Sequence, residues 1–184
     1  MNRKFTLGVT VLALGLLIAF PLPEPAQADP GFLTATIKVY APQVLEPGVT
    51  TCVGGYVLNP NIPGACSPGT KQIHIRGLKL LWTYTALDVD SESPELFIGQ
   101  QTVINNANYD ANGAGPQWGT FVWKSEVGVW EGTFNSTALG RGLGSWSAVG
   151  HGSGELAGLQ MKGEGMFTDY PGTFMARIQG NRKK

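Results

Sequence analysis

From residue 33 onward the chain alternates with period two. In "LTATIKV", Leu33, Ala35, Ile37 and Val39 fall on one side and Thr34, Thr36 and Lys38 on the other. Successive side chains of an extended backbone point to opposite faces, so this is a strand with one buried side. Similar patterning recurs in "KQIHIRGLKLLWTYTALDVD", "ELFIGQQTVIN", "QWGTFVWKS", "VGVWEGTFNST", "GSWSAVGHGSG", "LAGLQMKGEGMF" and "GTFMARIQG". No segment carries a convincing helical repeat. About eight strands joined by short connections predict an antiparallel arrangement. Eight is also about the number that closes into a barrel whose interior holds side chains or one small ligand. Closure hides the sheet edges. The expected fold is therefore all-β, an antiparallel barrel of about eight strands, with an open β-sandwich as the alternative. "QWGTFVWKS" and "VGVWEGTFNST" form the strongest hairpin, turning near Glu126. Gly77 marks a bulge, and "NNANYDANGAGP" reads as turn chemistry throughout.

The first 28 residues follow a different rule. Arg3 and Lys4 precede an uncharged apolar run, Phe5 to Phe20, and Ala26-Gln27-Ala28 has the small-x-small form that signal peptidase reads. The run is shorter than the ~20 residues of a spanning helix. This predicts a secretory signal peptide over 1–28 with cleavage after Ala28. A single domain over 29–184 follows, secreted or periplasmic, with no membrane insertion after cleavage. Without Arg3, Lys4 and Glu24 the 13 basic and 13 acidic residues become 11 and 12. A chain so close to neutral lacks the basic surface that nucleic acid requires. Cys52 and Cys66 are the only cysteines. In an exported chain an even count oxidises, so a Cys52–Cys66 disulfide is expected. It would close a Gly-, Pro- and Asn-rich insertion at 41–70. Two cysteines without a CxxC or a close histidine make a poor ligand set, and no metal site is expected.

The stretch "GHGSGELAGL" at 150–159 holds four glycines. A dinucleotide fingerprint needs a helix after its glycines, and Gly158, Gly163 and Gly165 interrupt one here. No GK[ST] follows for a phosphate loop. A nucleophile elbow needs glycine where His151 stands. The remaining explanation is steric. Gly150, Gly152 and Gly154 share one face of a strand and leave room for bulky rings from neighbouring strands, with Gly154 to Gly158 as a turn. A ring over Gly152 is expected.

On these residues a resemblance arises. "GHGSGELAGLQMKGEG" resembles the GGTGxFxxxxG stretch of the allene oxide cyclase and dirigent families, which share an eight-stranded barrel. The run "NANYDANGAGPQWGTFVW…GVWEGTF…GHGSGELAGL", within roughly residues 72–178, resembles a group of uncharacterised secreted bacterial proteins. The resemblance implies the barrel. It carries no catalytic residue onto this chain, and fold alone does not assign function.

Candidate chemistry is sparse. His74 and His151 are the only histidines, and neither has a triad-like neighbourhood. Glu126, Glu131, Glu155 and Glu164 could supply a carboxylate pair, but nothing sets a second carboxylate opposite Glu131. "DANGAG" at 110–115 lacks the ligand spacing of a calcium loop and reads as a turn. Asp88, Asp90, Glu92 and Glu95 read as a solvated acidic loop, and Asn135-Ser136-Thr137 is a glycosylation sequon. The five tryptophans, Trp82, Trp118, Trp123, Trp130 and Trp146, all lie on predicted strands. Trp118 and Trp123 are an odd number of residues apart and must face opposite ways. Phe121, Trp123, Trp130 and Phe134 are expected inside, leaving Trp118 outside or at a rim, the most accessible tryptophan from Trp118 to Trp146. The functional expectation is an exported barrel that binds a small apolar or cyclic ligand without catalysis and without a cofactor. Trp118, His74, Arg76, Glu131 and His151 are the candidate binding residues. The alternatives are a cofactor-free isomerase or cyclase of the allene oxide cyclase type, or an aromatic surface for polysaccharide. An ionisable side chain in a deep cavity would favour the isomerase, and coplanar exposed tryptophans the polysaccharide surface.

Overall fold

The computed structural model describes residues 33–140, 143–167 and 172–180; the expected signal segment 1–28 and the expected cleavage after Ala28 lie outside the described residues. The described chain is all-β, one curled antiparallel sheet. Its strands are β1 (Leu33–Val39), β2 (Gln43–Glu46), β3 (Val49–Val53), β4 (Gln72–Tyr84), β5 (Val89–Ser91), β6 (Gly99–Asp110), β7 (Ala114–Ser125), β8 (Gly128–Gly140), β9 (Leu143–Gly154), β10 (Leu159–Phe167) and β11 (Gly172–Gly180). No described helix is long and apolar enough to cross a membrane.

Six strands, β6 to β11, meander through successive hairpins. The register of the others closes the curl. β11 pairs with β1, β1 pairs with β5, and β2 and β3 pair with β4. Across these last three ladders the numbers of paired residues always add to between 124 and 126, as in Ala35 with Ser91, Gln43 with Leu81 and Val53 with Gln72. Residues 33–53 and 72–91 thus run antiparallel in nearly one register, broken between β1 and β2 and shifted by one residue between Val44 and Glu46. The interruption is bridged by Lys38 N–H donating to Asp88 O (2.8 Å) and by Trp82 Nε1–H donating to Tyr40 O (2.9 Å). Counted this way, the curled sheet has eight strands in a barrel-like arrangement, and β4 pairs with β6.

Several boundaries differ from the expectation. The insertion at 41–70 begins with two strands, β2 and β3, because Val44, Val49 and Val53 sit opposite β4 and extend its ladder. The remaining loop is tied down by the Cys52–Cys66 disulfide, with Cα atoms 5.8 Å apart. "NNANYDANGAGP" is mostly strand; only 111–113 turn, with Gly113 at a φ of 78°. Gly77 does mark a bulge: its φ is 69° and the β4–β6 register shifts between Ile75 and Leu78. The turn after Gly154 is also present, ending at Leu159.

"ELFI" is not strand. Pro94–Leu96 form a short 3-10 turn that carries Leu96 and Phe97 into the end of the barrel. There Trp123 Nε1–H donates to Phe97 O (3.0 Å) and Trp130 Nε1–H donates to Leu96 O (2.9 Å). Phe97 lies 5.4 Å from the Trp123 ring and 6.4 Å from that of Trp130, and Tyr84 lies 4.7 Å from Trp123. Trp123, Trp130 and Phe97 are fully buried. Indoles fill this end because their large apolar bodies are buried while their N–H groups still find carbonyl partners. One mouth of the barrel is therefore plugged.

The glycines make room for rings. The Phe121 ring covers Gly132 and Gly150, which face each other across β8 and β9. Phe174 lies over Gly163, and Trp146 over Gly165. At Gly152 the covering group is not a ring but Leu156, whose Cβ would stand 2.6 Å from an added methyl. The turn 154–158 folds back under the barrel there, because Leu156 is itself buried in the plug end.

Candidate functional site

The five candidate residues divide into two groups, both on the outer wall. His74 and Arg76 lie on β4 and Trp118 on β7, with parity opposite to the inward Ile75, Phe121 and Trp123. Asn108 Oδ1 gathers the first two: it lies 2.6 Å from His74 Nδ1 and accepts from Arg76 Nη2 at 2.7 Å. Arg76 Nη1 donates to the carbonyls of Ile75 and Ala107, both at 2.8 Å, spanning the bulge at Gly77. Its guanidinium carbon lies 5.1 Å from the centre of the Trp118 ring. This cation–π contact half-covers the indole, consistent with the outward position that parity demands. Both terminal nitrogens of Arg76 are spent on the protein itself, and with the Trp118 contact they tie β4, β6 and β7 together. Glu131 and His151 form the second group. They are cross-strand neighbours on β8 and β9, and both are exposed.

The interior holds none of these side chains. It holds a cavity of about 490 Å³ between the plug and the opposite mouth. Leu78, Leu80, Val103, Phe121 and Phe134 give it apolar walls, and Trp82 and Trp146 also line it. Among its described lining residues there is no Asp, Glu, Lys, Arg or His. The polar lining is carried mainly by β4, β6 and β7. Gln101, Asn105 and Tyr109 share the inward face of β6, and Gln117 points in from β7. Tyr84 O–H donates to Gln101 Oε1 (3.0 Å), and Asn105 Nδ2–H donates to Gln117 Oε1 (3.1 Å). Burial, with the charge of Asp88 adding, pushes the ionisation of the Tyr84 phenol far above its ordinary range. It acts as a neutral hydrogen-bond donor. Asn105 is only 6% exposed, and its Oδ1 is buried with no partner.

These cavity amides were readable in the sequence. In "QQTVINNAN", Gln101, Val103, Asn105 and Ala107 share one parity, so polar residues alternate with apolar ones on the inward face itself. A search for ionisable groups passes over them because amides do not titrate.

A second hollow, of about 580 Å³, lies on the outer wall over β8 to β11, among Asn135, Thr137, Ser145, Glu164 and Thr173. No group of three or more metal-ligating side chains is found among the described residues. Neither a protein-family model, nor a curated protein, nor a solved structure matches the chain.

Proposed function

We propose that this chain is an exported β-barrel that binds one small, largely apolar or cyclic molecule in its interior, without catalysis. The observation that carries this reading is the cavity. Its volume of about 490 Å³ falls in the range of roughly 300–1,000 Å³ typical of small-molecule sites. It is walled mostly by apolar side chains, with a few convergent amides. The disulfide supports a destination outside the reducing cytoplasm. A resident of the cavity would enter at the mouth opposite the plug, near the 111–113 turn, Gly140 and Pro63.

The alternative of a cofactor-free isomerase or cyclase, as in allene oxide cyclase, is less well supported. Among the described lining residues there is no Asp, Glu, Lys, Arg or His, and the buried Tyr84 is far too weak an acid at neutral pH to transfer a proton readily. A polysaccharide surface would need several exposed indoles, whereas Trp82, Trp123, Trp130 and Trp146 point inward. The test uses N-phenyl-1-naphthylamine, which is dim in water and bright in apolar surroundings. Saturable one-to-one emission is expected, abolished by Ala138→Trp at the cavity wall. Emission that does not saturate, or that is equal in Ala138→Trp, refutes the reading.

A further inference from the structure

We infer that the ligand is uncharged and carries a hydroxyl or N–H donor, which is read by Asn105 Oδ1. This rests on the interior being a ligand site, as proposed above. Asn105 is held in place: its Nδ2 is committed to Gln117 Oε1 at 3.1 Å, and its Cα sits in the middle of β6, paired on both sides to β4 and β7. Its Oδ1, an acceptor, is buried and unpartnered. Buried polar atoms in folded proteins nearly always have partners, and leaving one unmade is costly. Gln101 is arranged the other way round. Its Oε1 already accepts from Tyr84, so its unused groups are donors.

The chemical class follows from these valences. A carboxylate has no donor for Asn105 and meets no cation in the described lining. An ammonium meets no anion there. Moving either charge into such a site without a counter-charge is strongly unfavourable. A neutral hydroxyl satisfies both ends: its hydrogen goes to Asn105 Oδ1 and its oxygen remains free to accept. The rest of the molecule lies against Phe121, Phe134, Leu78 and Leu80, which ask only for apolar contact.

The experiment compares two ligands of equal shape. N-phenyl-1-naphthylamine is displaced in turn by 1-naphthol and by 1-methylnaphthalene, with 1-naphthoate as the charged control. Burial alone ranks the methyl compound first. With the Asn105 contact, 1-naphthol binds more tightly by about tenfold or more, as sites built to hydrogen-bond a hydroxyl reject analogues that lack it, and 1-naphthoate does not compete. In Asn105→Leu the order reverses, with 1-methylnaphthalene binding retained. If wild type binds 1-methylnaphthalene as tightly as 1-naphthol, water alone serves Asn105 and the inference is overturned, while saturable probe binding leaves the ligand-site reading intact. If the probe itself does not bind, that reading falls and takes this one with it. The wild-type comparison decides the matter even if Asn105→Leu does not fold.

Discussion

Two glycines that touch the same ring should respond very differently to one added methyl group. Gly132 on β8 and Gly150 on β9 are directly paired, and both lie beneath Phe121. A Cβ on Gly150 would stand 3.0 Å from Phe121 Cζ, 3.4 Å from Met161 Cε and 3.5 Å from Glu131 O. Two of those neighbours are ends of side chains, which can give by a few tenths of an ångström. A Cβ on Gly132 would stand 2.7 Å from the Gly150 Cα, 2.7 Å from Phe121 Cζ and inside contact distance of the Val149 carbonyl oxygen. Two of these are ladder backbone and cannot retreat without breaking β8 from β9. Overpacking of this kind costs about 1–3 kcal/mol. In strand interiors, replacing glycine also returns roughly 0.5–1 kcal/mol by restricting the unfolded chain. Gly150→Ala should thus lie within about 1 kcal/mol of wild type, and Gly132→Ala, after the same return, should lose about 0.5–2 kcal/mol. At roughly 2–4 °C per kcal/mol for a chain of this size, the difference is readable by calorimetry. Phe121→Leu supplies the sharper test. Shortening the ring should relieve Gly150→Ala, giving a favourable coupling in the double-mutant cycle, and should leave the Gly132→Ala penalty mostly in place. Equal penalties for the two glycines, or full rescue of Gly132→Ala by Phe121→Leu, would refute the assignment of one clash to a side chain and the other to backbone.

Three further outcomes are expected. Cys52 and Cys66 should resist alkylation until reduced, and reduction should remove roughly 3 kcal/mol of stability on the loop-entropy model; two labelled thiols in the unreduced protein would contradict the bond. Asp110 Oδ1 accepts from Ala114 N–H (3.0 Å) and Asn112 N–H (2.8 Å), and these bonds, that of Ala114 foremost, hold its carboxyl below the usual range. A carboxyl lowered in the fold stabilises it above the unfolded value of about 3.9 and loses that contribution as pH falls through the lowered value. The wild-type melting temperature should therefore drop more steeply below pH 4 than that of Asp110→Asn, and parallel curves would count against the turn's role. Trp118→Phe should remove acrylamide-quenchable emission, whereas Trp123→Phe should remove emission that acrylamide does not reach; the opposite assignment would place Trp118 inside.

The alternation of "LTATIKV" or "GTFVWKS" carries face and strand together, because burial on one side of a sheet imposes period two on the sequence. The opposite facing of Trp118 and Trp123 followed from that parity and is what the structure shows. The Phe97 segment was not legible, since an apolar "LFI" between turn residues looks the same whether it pairs as a strand or folds into a barrel end. What distinguishes it is the pair of indole N–H donors reaching across from β7 and β8, and these are remote in sequence. The candidate site was harder still. His74, Arg76, Glu131 and His151 attract attention as polar, chemistry-bearing side chains, yet on this sheet they stand on the outer face. The interior polar groups are mainly amides, whose inward position is visible only once parity is applied to polar residues as strictly as to apolar ones.

The ladder between β1 and β11 joins Leu33 to Ile178, nearly the whole described chain apart. Contacts this distant in sequence form late, because the loop they close must first be gathered. Until residues 172–180 have been made, β1 and β10 each present a free row of backbone donors and acceptors, the kind of edge that recruits other chains. The plug and the β6–β10 hairpins can assemble meanwhile, but the interior stays open to water along one side. Order of synthesis, rather than the propensity of any strand, therefore sets the moment at which the cavity acquires its walls.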